Sequence, residues 1–316
     1  MRKVIVLANP FAGGGRASRE IPVLESRLVR YDIKNYEFFI PESEANLNAL
    51  VAAQPRDGRL IIGAGGDGTF NLIANELLKN ESRAVLGMVN LGTRGDVAKE
   101  FGTGTIDEAC QAINVGMHTL TDVAALKYDG KGPLHFLGSV SLGFENYVDR
   151  ELIKFADRFP FMKRYIGLRP VELALGIFYF RKAVKGGEVP VHVKIEHDDG
   201  FLEVRTVVAI VNNARYFDGG KIPSPDASPY DGKIDCCLVE SVPIPVFLND
   251  YRLLASGRHT SRPEVHIMQS GKLKIDAPDG IGVQVDGEIL GKYNELDFSV
   301  KPKALRVLVH PNYNKK

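Results

Sequence analysis

Hydrophobic positions change their spacing near residue 122. Before that point, short apolar runs alternate with stretches whose apolar residues recur every three or four positions. VIVLA (Val4–Ala8) is an unbroken run suited to a strand buried on both faces, and a glycine-rich turn follows it. Arg16 to Val29 carries helical spacing, YEFFI (Tyr36–Ile40) reads as a second strand, and Ala45 to Ala53 as a helix. RLIIG (Arg59–Gly63) is a third strand, Phe70 to Leu78 a helix, and AVLGMV (Ala84–Val89) a fourth strand. Such alternation builds βαβ units, with a parallel sheet covered by helices on both faces. Beyond residue 122 the pattern is mostly strands and turns: Thr121–Lys127, His135–Ser141, Val189–His197, Glu203–Asn212, Lys233–Val239, Lys272–Asp276, Gly282–Val285, Glu295–Val300 and Leu305–His310. One mainly helical insertion, roughly Glu151–Lys185, interrupts them. The expected fold class is therefore α/β plus all-β: an α/β domain over residues 1–121 and a β-sandwich over residues 122–316 that carries a helical insertion.

Composition narrows the picture. The 316 residues are 44% hydrophobic and 25% charged, ordinary for a globular chain with room for two cores. A net charge of +1 gives no sign of nucleic-acid binding. Cys110, Cys236 and Cys237 are an odd count with two adjacent, which is no disulfide framework and points to a reducing, cytoplasmic setting. The apolar run after MRK ends at Asn9-Pro10, too short for a signal segment, and the longest apolar stretch, VELALGIFYF (Val171–Phe180), contains Glu172.

The densest chemistry lies at residues 63–78, GAGGDGTFNLIANELL. The stretch follows a strand and opens a helix, and Gly63, Gly65 and Gly68 satisfy the dinucleotide pattern G-x-G-x-x-G. Three features speak against that reading. The turn follows the third strand, the next strand ends in Asn90 rather than an acid, and Asp67 lies inside the cradle. A carboxylate beside a polyphosphate makes sense where Mg²⁺ bridges the two or where proton transfer occurs near the γ-phosphate. Thr69 would stand at the helix N-terminus, which favours an anion. The plain alternative is a tight glycine turn with Asp67 as a helix cap.

GGDGT (Gly65–Thr69), with Asn71, Asn75 and Leu77 downstream, resembles the lipid kinases of the diacylglycerol, sphingosine and ceramide kinase family, within the superfamily that includes NAD kinases. Other segments agree in order along nearly the whole chain. They are NPFAGGG (Asn9–Gly15), NLGTRGDVAKEFG (Asn90–Gly102), Thr121-Asp122, PSPDASPYDGKIDCCLV (Pro223–Val239), SGRH (Ser256–His259) and VDGE (Val285–Glu288). The resemblance implies a phosphofructokinase-like α/β domain, a C-terminal β-sandwich whose last strand returns toward the junction, and a nucleotide between them. It implies ATP and Mg²⁺ as cofactors and a lipid hydroxyl as acceptor. Asn9, Pro10, Phe11, Ala12 and Gly13 would wrap phosphate or ribose. Gly66, Asp67, Gly68, Thr69, Phe70, Asn71 and Leu72 would form the main ATP loop, and Thr93 would bond nucleotide. Asp67 would work with the metal, in an acidic cluster with Asp96 and Asp122. Asp231 would hold a structural Mg²⁺ with the backbone carbonyls of Ser228 and Lys233. Glu288 would be the general base.

The sequence departs from the family twice. Gly95 stands where the family's GTxND segment has Asn, and no Thr follows the second strand in register, leaving Ser43 as a stand-in. Taken alone, Asn9-Pro10, Asp231-Gly232 and Asp286-Gly287 are also ordinary turn sequences. From Arg150 to Lys185, nine basic residues against three acids leave +6, interleaved with Phe155, Phe159, Phe161, Tyr165, Phe178, Tyr179 and Phe180. This suits either a core helix pair with a solvated basic face or peripheral contact with an anionic membrane. The reading is an ATP- and Mg²⁺-dependent lipid kinase that meets its substrate at a membrane surface and binds no nucleic acid; a homodimer is open. An NAD kinase-like activity on a soluble substrate and a weakly catalytic nucleotide-binding regulator stay open beside it.

Overall fold

The computed structural model describes residues 3–159 and 169–314. Four parallel strands order as β2-β1-β3-β4 in the N-terminal half: β1 (Val4–Ala8), β2 (Tyr36–Phe39), β3 (Leu60–Gly65) and β4 (Val85–Asn90). The unbroken apolar runs of β1, β3 and β4 are buried on both faces because helices cover both. On one side α2 (Glu44–Ala52) and α3 (Asp67–Lys79) bring Leu47, Val51, Phe70, Ile73 and Leu77 against Ile5, Ile61 and Leu86. On the other, α1 (Ala17–Arg30) and α5 (Ile106–Val115) bring Leu24, Leu28, Cys110 and Ile113 against Val6 and Ile62. A short α4 (Asp96–Glu100) lies between β4 and α5.

The C-terminal half is antiparallel: β5 (His118–Tyr128), β6 (Lys131–Phe136), β7 (Ser139–Gly143), β8 (Val191–His197), β9 (Gly200–Asn212), β10 (Ile234–Glu240), β11 (Val265–Ser270), β12 (Lys272–Val285) and β13 (Glu288–Leu308). Both β7 and β8 bridge β9 to β12, at different ends of each, so these long strands bend around one apolar core. Among the described residues, three helices attach to this half: α6 (Phe144–Arg158), α7 (Arg169–Lys185) and α8 (Ile244–Leu253).

The expected boundary at residue 121/122 needs correction. β5 crosses it without a break, and β13 unites Glu295–Val300 with Leu305–His310, read above as separate strands. Its early residues pair with β12, while Arg306 and Val307 pair in parallel with Val85 and Leu86 of β4. Leu305, Val307 and Val309 thus complete the N-terminal core. The pairing of β13 with β5 slips between Lys301 and Leu305, and Lys303 takes a φ of 51° there. Asp122 holds this bulge: its Oδ1 accepts from Lys303 N–H at 2.7 Å and its Oδ2 from Gly232 N–H at 2.7 Å.

Other differences have local causes. The run His135–Ser141 is split because side chains take its ladder groups: Asn71 accepts from Leu137 N–H, and Asn213 donates to the Leu137 carbonyl. The helical insertion begins earlier than its apolar spacing suggested, at Phe144, where Gly143 with φ 87° ends β7. Helices α4, α5 and α8 and strand β11 were not anticipated. The signal for α5 was present as a capping box, Thr105 with Glu108. All three cysteines are buried and free. No described helix is long and apolar enough to cross a membrane.

Candidate active site

The glycine loop and the loop after β4 fold together because neither carries side chains where they touch. A Cβ on Gly92 would lie 2.8 Å from the Gly66 Cα, and one on Gly65 would lie 2.4 Å from the Thr69 Oγ1. Asn9, at the end of β1, donates from Nδ2 to Thr69 Oγ1 at 3.0 Å and accepts from Phe11 N–H at 3.0 Å. Gly13, with φ 61°, brings the first loop against Leu91 and Gly92. The three loops enclose a polar cleft of about 380 Å³, lined by Asn9, Ala12, Gly13, Glu44, Gly66 to Thr69, Leu72, Gly92 to Gly95, Asp149 and Asp286 to Glu288.

Most of the residues expected at a nucleotide site therefore converge. Pro10 and Phe11 do not line the cleft, and Phe11 is 70% exposed on the loop's outer side. Phe70 is corrected: its ring is wholly buried beneath the sheet, contributing about 2–3 kcal/mol of packing rather than contact with a ligand. Asn71 also turns away, donating to Asp286 and accepting from Leu137 N–H at 3.1 Å. Ser43 is no stand-in for the missing Thr, because its hydroxyl caps α2 by accepting from Asn46 N–H. Gly95 is explained by crowding, since a Cβ there would fall 2.1 Å from the Asn90 amide nitrogen. In this chain the Asn90 side chain fills the space beside Gly95.

Asp67 does not cap its own helix, whose N-cap is Gly66. It caps α4, its carboxylate accepting from Asp96 N–H at 3.2 Å and Val97 N–H at 3.0 Å. Burial, and then the Asp96 charge, push it up to about 6 despite those bonds. Asp96 accepts from Gly219 N–H at 2.9 Å with Oδ2, while its buried Oδ1 has no partner among the described residues. Burial also raises Asp96. The expected cluster of Asp67, Asp96 and Asp122 is thus reduced to the first two, because Asp122 is committed to the β13 bulge.

Asp286 occupies the turn from β12 into β13 with φ 43°, its carboxylate accepting from Ser139 N–H at 2.7 Å and from Asn71. Burial, together with the charge of Asp67, pushes it up to about 7. Two residues on, Glu288 reaches over the glycine loop: a Cβ on Gly68 would lie 2.9 Å from its Oε1. Glu288 is also raised, by burial and then by Glu44.

A second cavity, about 670 Å³, opens beside the cleft and shares Arg94, Asp149, Asp286 and Gly287 with it. Its walls are largely apolar: Phe144, Val148, Leu152, Leu175, Phe180, Phe217 and Phe247. Arg94 sits at the shared wall, 2.8 Å from Asp218 and 3.7 Å from Asp149. Sequence reasoning passed over Arg94 although it lies within NLGTRGD, and missed Asp149, Asp218 and Lys221, which no motif marks and only the fold assembles. Asp231 lines neither cavity; its carboxylate accepts from Lys233 N–H at 2.9 Å and Gln269 Nε2 at 3.1 Å.

Comparison with known proteins finds two family matches in tandem. Residues 3–126 match the diacylglycerol kinase catalytic domain, and residues 183–309 match the YegS C-terminal NAD kinase beta sandwich-like domain. The chain is 26% identical over 313 residues to YtlR of Bacillus subtilis (strain 168), provisionally named a lipid kinase, covering 95% of this chain and 97% of that one. It is 25% identical over 309 residues to a diacylglycerol kinase of Mycobacterium tuberculosis (strain ATCC 25618 / H37Rv), covering 97% and 94%. A crystal structure from Bacillus anthracis str. Sterne, provisionally titled a diacylglycerol kinase, superposes with a TM-score of 0.71 at 22% identity over 98% of both chains.

Proposed function

The chain belongs to the diacylglycerol kinase-like lipid kinases, and from that premise we propose that it transfers the γ-phosphate of ATP to the hydroxyl of a neutral acyl lipid. The observation that carries this reading is the shared wall: the polar cleft and the apolar cavity meet at Arg94, Asp149, Asp286 and Gly287. A triphosphate fits the first by backbone N–H groups and the α3 N-terminus. Acyl chains fit the second, where each buried methylene contributes about 0.8 kcal/mol.

The donor set suits Mg²⁺ held jointly with phosphates. That ion takes one or two carboxylates and keeps its waters, and Asp67 and Asp96 offer two, with Asp96 Oδ1 unpartnered among the described residues. Bound there, it would neutralise charge that develops on the transferred phosphoryl group. Glu288 takes the proton from the lipid hydroxyl as its oxygen bonds the γ-phosphorus and ADP leaves. Burial keeps Glu288 above the ordinary carboxylate range, which suits a base at neutral pH. A second Mg²⁺ at Asp231 gains support from neighbouring Asp235, pushed up to about 7 by burial and then by Asp231, with its buried Oδ2 unpartnered among the described residues.

Membrane docking is part of the same proposal. Ile153, Phe159, Phe178 and Val184 of the α6–α7 region are exposed, by 38% to 59%, near basic Arg158, Arg181 and Lys185. The charge is less free than its sum suggests, because Lys154 and Lys182 both pair with Glu151 and Arg150 pairs with Glu188. Lys163, Arg164, Phe161 and Tyr165 lie outside the described residues. The double variant Arg181→Glu, Phe178→Ser should float less with acidic vesicles; equal flotation would leave this face a solvated helix surface.

The direct test of function is incubation with γ-labelled ATP, Mg²⁺ and, separately, dioctanoylglycerol, a total lipid extract and NAD. Label is expected in the lipid phase. Label on NAD alone, or ATP binding without transfer to any acceptor, would overturn the reading.

A further inference from the structure

Around the neck of the apolar cavity, charged side chains satisfy one another, with one exception. Asp218 is held by Arg94, by Lys221 and by the Tyr251 hydroxyl at 3.3 Å. Asp149 accepts from Gln284 Nε2 at 2.8 Å and faces Arg94. Glu145, in the first turn of α6, lines the same cavity and makes no hydrogen bond or ion pair among the described residues. Glu145 is half-buried and lines the cavity beside Phe144 and Phe247, near Asp149 and Asp218, so its carboxyl is open to a ligand rather than spent on the fold.

We propose that Glu145 is a specificity residue for the lipid backbone, its neutral carboxyl donating a hydrogen bond to the carbonyl oxygen of an acyl ester or amide while the chains fill the cavity below. Charge at the neck supports the neutral form. Asp149 and Asp218 already match Arg94 and Lys221, and Asp286 lines the same cavity, so an ionised Glu145 would add to the negative charge there. Burial pushes Glu145 up to about 8, with Asp218 and Asp149 adding to the rise and Lys221 and Arg94 opposing it. A lipid amine would demand the ionised form, whereas an acyl carbonyl needs a donor. Among the described residues that line the cavity, the other charged groups are engaged: Arg94, Asp149, Asp218, Lys221 and Asp286.

The inference rests on the cavity being the lipid site, and its test separates the two claims. Binding and turnover of dioctanoylglycerol and of its dioctyl ether analogue, which lacks carbonyls, would be measured for wild type, Glu145→Gln and Glu145→Leu. Wild type should favour the ester by about tenfold in kcat/KM, the worth of one hydrogen bond in a buried site. Glu145→Leu should bring the ester down toward the ether, and Glu145→Gln, which still donates, should restore the preference. Equal turnover of ester and ether by wild type would overturn the proposal, as would an equal loss on both lipids in Glu145→Leu, or loss of the preference in Glu145→Gln. Ester-selective binding that depends on residue 145, without phosphate transfer, would uphold this inference and sink the kinase reading instead. Wild type that binds neither lipid would overturn both.

Discussion

The polar cleft and the apolar cavity share a wall but are built by different means. The cleft is made of backbone. Its shape comes from glycines that let the GGDGT, NPFAGG and NLGTRGD loops touch, with Glu44, Asp149 and Asp286 to Glu288 closing it from elsewhere in the chain. The cavity is made of side chains from distant segments: Phe144 and Leu152 of α6, Leu175 and Phe180 of α7, Phe217 from the loop after β9, and Phe247 of α8. A backbone cradle tolerates almost no substitution where glycines let its loops touch, because an added Cβ would collide there. An apolar cavity tolerates many, because acyl chains read volume rather than direction. Chemistry common to a family can therefore be fixed in the cleft while lipid choice varies in the cavity.

The sharpest break between the two should come from Glu288, the proposed base, which belongs to β13 rather than to the three nucleotide loops. Glu288→Gln should lose about 10²–10⁴-fold in kcat, the range for a missing general base, with ATP affinity by calorimetry nearly unchanged. Near-normal turnover in a less stable protein would make Glu288 a turn residue.

Next in size is a pair of substitutions, one on each side. Gly92→Ala forces a methyl group against the Gly66 backbone and should weaken ATP binding by about tenfold or more, equally for every lipid. Gly176→Leu, in α7, adds volume where a Cβ meets nothing within 4 Å and the cavity lies open. It should raise KM for long-chain lipids, spare short-chain ones, and leave ATP affinity alone. If Gly176→Leu weakened ATP binding as much as Gly92→Ala, the two regions would not be separable.

The smallest effect concerns protons. Asp286 is pushed up to about 7 and Glu145 to about 8, so in the folded protein they keep protons that the unfolded chain has already released. Stability from such groups falls as pH rises through their folded values. His135 and His259 act oppositely, being held below their ordinary 6.5 by burial, but their contribution is complete once the unfolded chain has lost its histidine protons. Between pH 7 and about 8.5 the melting temperature without ligand should therefore fall, on the order of 2 °C. A rise over that interval would show that the buried acids are not holding protons.

How much was legible follows the same division. The strand and helix alternation of the first half and the glycine loops were readable, because local spacing and turn chemistry specify them, whereas Glu288 was named by the family resemblance alone. Asp67 was singled out from the sequence, but its capping of α4 was not legible, since those bonds join residues 29 and 30 positions apart. Asp122 was misplaced because a carboxylate at a strand's start looks the same whether it faces a metal or a bulge 181 residues away. The boundary at 121/122 falls inside β5, whose apolar run continues through it, while the last strand returns to β4 as the resemblance implied. Glu145, Asp149 and Asp218 were invisible because only packing brings them together.

The central claim is that cleft and cavity form one active site, with the lipid hydroxyl delivered across their shared wall. It is tested most directly by a structure with a non-hydrolysable ATP analogue, Mg²⁺ and dioctanoylglycerol bound together. The account predicts the triphosphate against Gly66 to Thr69, the acyl chains between Phe144, Leu152 and Phe180, and the free hydroxyl between the γ-phosphate and Glu288. Lipid bound on the outer face of α6 and α7, or chains in the cavity with the hydroxyl turned away from the cleft, would contradict it.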